Sequence, residues 1–215
     1  MRIVDCEQGT EEWHAERIKR VTASNFKFVM PAKKKFIVAT YTYMNEIAAE
    51  IMTGQGAEQA RSKSLSWGHE YEDDASNTYA ALKNVNVISN GICIDDELRA
   101  GASNDGLVED DGMIEIKCPY VSGKHAATLF AGKMPDEHMP QVQGNLMING
   151  RKWCDFISYD PRVSGKNKIV IIRVERDEEY IKELRSFIIK FNKELDEKLA
   201  SIGVKYINPT LEESK

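Results

Sequence analysis

The chain has 215 residues, of which 42% are hydrophobic and 29% are charged, so it carries enough apolar material for a sizeable core. This composition excludes a disordered or collagen-like chain. The 29 Lys and Arg residues against 34 Asp and Glu residues give a net charge of −5, which excludes a generally basic protein that coats nucleic acid nonspecifically. A local basic groove remains compatible with that balance. The length predicts a single domain over residues 1–215.

The four cysteines are far apart in the sequence and form no C-x-x-C pair, which argues against a zinc ribbon or an iron-sulfur cluster. Residues 1–5 contain no apolar signal-peptide region, and no window approaches the roughly 18 uninterrupted apolar residues of a membrane span. We therefore expect reduced thiols in a soluble, cytoplasmic protein that does not associate with a membrane.

The first third of the chain predicts helices separated by an exposed basic loop. Thr10 is a candidate N-cap, because the acidic residues that follow it oppose the positive end of the helix dipole. The predicted helices cover residues 10–18, a short segment after Ser24, a segment from a Thr40 cap to Gly54, and residues 65–83. The loop carries Lys33, Lys34 and Lys35.

The middle of the chain changes from helical to strand periodicity. Short segments bounded by Asn, Gly and Asp predict a meander of strands over residues 85–89, 91–95, 102–108 and 113–118. Helices are predicted over 122–132, 137–148 and 177–200, and strands over 153–159 and 168–174. This order favours an α/β or α+β fold in which helices flank a central mixed sheet.

The most informative residues for chemistry lie in the predicted hairpin. Side chains alternate faces along a strand, so Glu115 and Lys117 point the same way, and the turn at 110–112 can bring Asp105 beside Glu115. Two carboxylates a few ångströms apart repel each other unless a cation lies between them, and their hard oxygens suit Mg²⁺ or Mn²⁺. This D…E-x-K arrangement is typical of many nucleases that cleave phosphodiesters.

The alternative is that Asp105 and Glu115 are ordinary solvated charges on a hairpin, since E-x-K occurs often by chance. A further acidic residue on the preceding helix supports the functional interpretation. Glu72 follows Tyr71, which shares an apolar helix face with Trp67, and Glu72 can reach a neighbouring strand as a third acidic group.

Several motifs, taken together in order and spacing, resemble the YqaJ-like viral recombinase family, to which the phage lambda exonuclease belongs. They are residues 12–24, 67–72, 105–107, 115–119, 141–143 and 159–162, and they extend over nearly the whole chain. The resemblance implies a restriction-endonuclease-like core and a phage or prophage origin in a bacterial cytoplasm. It implies a Mg²⁺-dependent exonuclease that digests one strand of linear duplex DNA processively from its 5′ end. Mononucleotide products, 3′ overhangs for a phage single-strand annealing protein, and a ring of three subunits are also implied.

The resemblance also implies roles for individual residues. Glu72, Asp105, Glu115 and the main-chain carbonyl of Ile116 would hold two Mg²⁺ ions, with Mn²⁺ as an alternative, and Lys117 would orient or activate the attacking water. The implied pocket for a 5′-terminal phosphate contains Arg17, Thr22, Ser24, Ser103 and Gln141. The implied DNA contacts are Leu65 as an apolar wedge and Lys33, Lys34 and Lys35 in the minor groove. The chemistry of the residues agrees, because Arg17 offers a planar fork matched to phosphate oxygens.

Two other functions are compatible with the same sequence. A site-specific or structure-specific endonuclease would share Asp105, Glu115 and Lys117 but would not need the Arg17 and Ser24 pocket. A catalytically silent module that binds DNA ends would not need clustered carboxylates that face phosphates. Further candidates for basic residues near DNA are Arg61, Lys63 and Lys124.

Overall fold

The structure of the protein, a computed structural model, describes residues 1–56 and 63–207, without the side chain of Leu65. Its helices are α1 (Glu11–Arg17), α2 (Phe26–Val29), α3 (Val38–Thr53), α4 (Lys63–Lys83), α5 (Ser122–Ala131), α6 (Met139–Asn149) and α7 (Glu178–Ser201). Its strands are β1 (Arg2–Val4), β2 (Val21–Thr22), β3 (Val87–Ile88), β4 (Ile92–Asp95), β5 (Ala100–Ala102), β6 (Gly106–Val108), β7 (Gly112–Lys117), β8 (Trp153–Tyr159) and β9 (Ile169–Glu175).

The larger sheet has the strand order β3-β6-β7-β8-β9, and its central pair β7 and β8 is parallel while the other pairs are antiparallel. One face of β7 contributes Ile114 and Ile116 to a core that includes Ala75 and Tyr79 of α4. The other face packs against α6, where Val142 and Leu146 are fully buried. The predicted mixed sheet between helices is therefore confirmed.

The smaller sheet has the order β1-β4-β5-β2 and adjoins a second core formed with α2, α3 and α7. The predicted meander is wrong at this point, because β3 pairs with β6 while β4 pairs with β1 and β5. The predicted strand over 102–108 is two strands in different sheets. Asn104 separates them: its side-chain Oδ1 accepts from the Gly106 amide at 3.1 Å and its carbonyl accepts from Gln8 at 2.8 Å.

Helix ends follow the predicted caps with one exception. Thr10 accepts a hydrogen bond from the Trp13 amide at the start of α1, and α3 ends at Gly54, whose φ of 72° suits glycine. Thr40 is not the N-cap of α3, because Ile37 occupies that position and Thr40 Oγ1 lies one turn inside, accepting from the Ile37 amide at 3.2 Å.

Among the described helices, none has the length and apolar character that a membrane crossing requires. All four cysteines are buried free thiols, as expected.

Candidate active site

The hairpin of β6 and β7 brings two carboxylates together as predicted. Gly106 lies opposite Ile114, so the next pair outward places Asp105 across from Glu115. The Asp105 amide donates to the Ile114 carbonyl at 3.2 Å, and the Ile116 amide donates to Asp105 Oδ2 at 2.5 Å. Backbone hydrogen bonds therefore fix Asp105 at the carboxyl end of β7.

The Glu115 carboxylate is almost fully buried, with 1% of the residue exposed. Lys117 Nζ lies 2.5 Å from its Oε1, and Asn145 Nδ2 on α6 donates to its Oε2 at 2.9 Å. A buried carboxylate needs such partners, because an unpaired one carries a large desolvation cost. The interpretation of Glu115 as a solvated surface charge is therefore wrong.

A cleft of about 670 Å³ opens beside these residues. Glu72 on α4 lines it together with Ile116 and Lys117, so the helix supplies the third acidic group that the sequence predicted. Lys124 and His138 also line the cleft. Burial and the Lys117 charge lower the pKa of His138 to about 4, so its ring is neutral near pH 7.

The carboxylates of Glu72, Asp105 and Glu115 repel one another, and a cation between them would relieve this repulsion. Burial and the Glu115 and Glu72 carboxylates raise the pKa of Asp105 well above its usual range. Burial and the Glu115 carboxylate also raise the pKa of Glu72, and they outweigh His69, which lowers it. Burial disfavours the charged form of Lys117, but Glu115 and Asp105 together raise its pKa. Lys117 is therefore an ammonium group at neutral pH, suited to orient water or stabilise negative charge.

The residues beside the cleft offer oxygen donors that suit a divalent cation. Within residues 1–56 and 63–207, no three His, Cys, Asp or Glu side chains are already gathered as metal ligands. Glu115 is engaged by Lys117, and Asp105 by the Ile116 amide. The donors available are nevertheless hard oxygens that carry excess negative charge, and Asn145 Oδ1 beside Glu115 is buried without a hydrogen-bond partner. This chemistry fits Mg²⁺ or Mn²⁺.

A second polar group forms around the end of α1. Arg17 Nη2 donates to Ser24 Oγ at 3.4 Å, and Ser24 Oγ lies 3.3 Å from Thr22 Oγ1. The Arg17 guanidinium stacks over Trp13 at 4.0 Å, and the Trp13 indole N–H donates to Ser103 Oγ at 2.8 Å. The structure thus joins four of the five residues predicted for an anion pocket.

Helix α6 connects the two groups. Gln141, the fifth residue predicted for the pocket, is half-buried in the first turn of α6, one turn before Asn145. The helix packs on the segment that carries Ser24, since Gly144 leaves room for Phe26: a Cβ there would lie 2.2 Å from Phe26 Cδ2. Gly144 therefore sets how closely α6 approaches the segment that carries Ser24.

Of the predicted DNA contacts that the structure describes, Lys124 lines the cleft, whereas Lys33, Lys34 and Lys35 do not. Lys33, Lys34 and Lys35 are exposed in the predicted loop, but Lys34 Nζ pairs with Glu183 at 2.7 Å and lies over Tyr180 of α7. Leu65 is in α4, but its side chain lies outside the described residues, and so does Arg61.

Two residues near the cleft were missed by the sequence reasoning, Asn145 and Arg162. Asn145 had a signal, because Gln141, Asn145 and Asn149 recur at helical spacing on one face of α6. Arg162 belongs to the 159–162 motif, but its contacts join segments that are distant in sequence, which the motif does not indicate.

Comparisons with known proteins agree with this geometry. The model of the YqaJ-like viral recombinase domain matches residues 12–152. An alkaline exonuclease from Laribacter hongkongensis (LHK-Exo) is 34% identical, with a TM-score of 0.82 over 90% of this chain and 96% of that chain. A phage related exonuclease from Haemophilus somnus 129PT has a TM-score of 0.69 at 15% identity, over 86% of this chain and 96% of that chain. No match was found among curated proteins.

The fold is therefore a mixed α/β fold of the restriction-endonuclease-like type. The chain belongs to the YqaJ-like viral recombinase family, and the findings support a nuclease of the recombination exonuclease group.

Proposed function

We propose that the protein is a Mg²⁺-dependent exonuclease that degrades one strand of linear duplex DNA processively from the 5′ end. It releases mononucleotides and leaves 3′ overhangs for recombination by strand annealing. The observation that carries this proposal is the arrangement at one cleft, where Glu72 and Lys117 line the wall while Glu115 pairs with Lys117 and Asp105 accepts from the Ile116 amide beside it. Helix α6, which bonds Glu115 through Asn145, also packs on the segment that carries Ser24. The crystal structure of LHK-Exo in complex with dAMP, a mononucleotide, supports a mononucleotide product.

In this proposal Glu72, Asp105, Glu115 and the Ile116 carbonyl hold the divalent ions, whose charge stabilises the phosphodiester under attack. Lys117 orients the attacking water and offsets negative charge. Arg17, Thr22, Ser24, Ser103 and Gln141 bind the 5′-terminal phosphate, and Leu65 and the 33–35 loop contact the duplex. Hydrolysis breaks the bond from phosphorus to the 3′ oxygen of the terminal nucleotide, so the next nucleotide keeps a 5′-phosphate. Each step therefore regenerates the group that the pocket binds.

We further propose that the chain acts as one domain, in a ring of three subunits, in a bacterial cytoplasm with a phage single-strand annealing protein. These assignments rest on the family. A closed ring would explain processivity, because the duplex could not dissociate between steps.

The test uses three substrates with Mg²⁺: a 5′-phosphorylated linear duplex, its 5′-hydroxyl counterpart and a closed circular duplex. We expect rapid shortening of the phosphorylated 5′ strand, slower shortening of the hydroxyl form, and an intact circle. Cleavage of the circle would support the endonuclease function instead. End binding without cleavage would support the silent binding module.

A further inference from the structure

Beyond the end of β8, a short turn holds a buried ion pair. Asp160 is fully buried, and its Oδ1 accepts from the Arg162 amide at 3.1 Å and from Arg162 Nε at 2.8 Å. Its Oδ2 accepts from Arg162 Nη2 at 2.9 Å. This fork-to-fork geometry fixes the plane of the guanidinium.

The same guanidinium contacts two further segments. Arg162 Nη1 donates to the Tyr120 carbonyl at 3.0 Å, and Nη2 donates to the Pro119 carbonyl at 3.1 Å. The group also lies 4.3 Å from the centre of the Trp67 ring, which in turn contacts the Tyr71 ring at 4.4 Å and the Tyr120 ring at 5.9 Å. We call these five residues, Asp160, Arg162, Pro119, Tyr120 and Trp67, the Arg162 clamp.

The contacted segments carry the site. Pro119 and Tyr120 come two and three residues after Lys117, the last residue of β7, and Trp67 lies on α4 five residues before Glu72. We propose that Arg162 is a positioning residue that holds the Glu72 helix against the end of β7, at the separation that a divalent cation requires. This inference rests on the proposed function.

Lysine cannot replace arginine in this role. Arg162 uses three nitrogens toward one carboxylate and two carbonyls while its flat face covers an indole ring. A lysine ammonium is a compact point charge and lacks the planar fork. Arg162→Lys therefore keeps the positive charge but removes the planar group that makes these contacts at once.

The chain offers a matched control on the neighbouring strands. Arg173 of β9 forms the same two-pronged pair with buried Asp155, at 2.5 and 3.0 Å, and stacks over Trp153 at 3.5 Å. Asp155 lies opposite Ile114, three residues before Lys117, and its other partner is Tyr79 near the end of α4. Arg173→Lys thus disturbs an equivalent pair farther from the cleft.

The experiment compares wild type, Arg162→Lys and Arg173→Lys by calorimetric titration with Mg²⁺ alone, by nuclease rate against Mg²⁺ concentration, and by thermal unfolding. We expect Arg162→Lys to weaken Mg²⁺ binding at least fivefold and to raise the half-saturating Mg²⁺ concentration equally, with excess Mg²⁺ restoring the rate to within twofold. Arg173→Lys should lower the Tm similarly but change Mg²⁺ affinity less than twofold. Unchanged affinity in Arg162→Lys, or equal losses in both variants, overturns the inference.

If Arg162→Lys does not fold, Trp67→Phe and the control Trp153→Phe replace the pair, with the same expectations. The two proposals fail in distinguishable ways. A wild type that binds Mg²⁺ but leaves DNA intact refutes the exonuclease, while calorimetry still tests the clamp. A wild type that cuts DNA, with Arg162→Lys unaffected, refutes only the clamp. A wild type that binds no Mg²⁺ refutes both.

Discussion

At the scale of single residues, Lys117 is a cation that pairs with the buried Glu115 carboxylate. Lys117→Ala should lower the rate of DNA cleavage at least about 100-fold, because a preorganised charge at the reacting phosphate is lost. Binding to DNA ends should survive, since the Arg17 pocket is separate. Rate assays and end-binding titrations on the same preparation check this, and loss of both activities would indicate a structural role for the lysine.

Asn145 gives a second prediction, because its amide is the other hydrogen-bond partner of Glu115. Asn145→Ala removes the donor to Glu115 Oε2. We therefore expect the free energy of unfolding to fall by about 1–3 kcal/mol and the rate of cleavage to fall about tenfold. The control is Asn192→Ala, which removes a buried 2.7 Å bond to the Leu98 carbonyl away from the cleft. It should lose stability while cleavage continues at the wild-type rate, and a slow Asn192→Ala would contradict the assignment.

The acid stability of the protein should depend on Asp160. Burial alone would raise its pKa, but hydrogen bonds from Arg162 and Ser122 outweigh burial and lower the pKa from 3.8 to about 2. Because the folded-state pKa is depressed, the stabilisation is present above about pH 4 and is lost as the pH falls toward 2. Its size is about 1–2 kcal/mol, reduced for the partial exposure of Arg162.

Urea unfolding of wild type and Asp160→Asn at several pH values checks this prediction. The difference in unfolding free energy should be constant near neutrality and shrink between about pH 4 and pH 2. Asp111→Asn, at an exposed pair with Lys152, should change stability little at any pH. A pH-independent difference for Asp160→Asn would exclude the ionised carboxylate as its source.

The sequence predicted some of these residues and not others for a physical reason. Asp105, Glu115 and Lys117 are related by strand alternation and one tight turn, so local rules place them together. Asn145 reaches Glu115 from 30 residues away, and Arg162 reaches Tyr120 from 42 residues away. Such contacts depend on how helices and sheets pack, which local periodicity does not encode.

At the scale of elements, α6 is the connection between the two polar groups, and its position depends on Gly144. Gly144→Ala would drive a methyl group into Phe26, so we expect a loss of about 1–3 kcal/mol in unfolding free energy and weaker discrimination for a 5′-phosphate. Gly68→Ala, in α4 with nothing within 4 Å of the added Cβ, should instead stabilise by up to about 1 kcal/mol. Denaturant titrations compare the two, and a neutral Gly144→Ala would contradict the close packing.

Elements were predictable where a cap or a period marks them. Residues 153–159 are predicted as the strand that β8 forms, and the helix predicted over 177–200 is α7, which Asp177 caps one residue before its start. The split at Asn104 and the pairing of β3 with β6 were not predictable, because strand partners distant in sequence are chosen by the packed core.

At the scale of the whole molecule, the acidic net charge makes the distribution of lysines important for DNA binding. Replacing Lys33 and Lys35 by Gln should flatten the dependence of log binding constant on log salt by about 0.9 for each lysine that contacts a phosphate. Lys34→Gln should change the slope less, because Lys34 already pairs with Glu183. Equal slopes for all variants would remove this loop from the DNA interface.

The position of Asn145 one turn after Gln141 on α6 has a consequence for the length of the product. Four residues of helix rise about 6 Å, so on the proposed roles a stiff rod spaces the anchored strand end from the Glu115 carboxylate. The spacing that this helix sets does not depend on which bases the DNA carries. Fragments should therefore be of one uniform size whatever the sequence of the DNA.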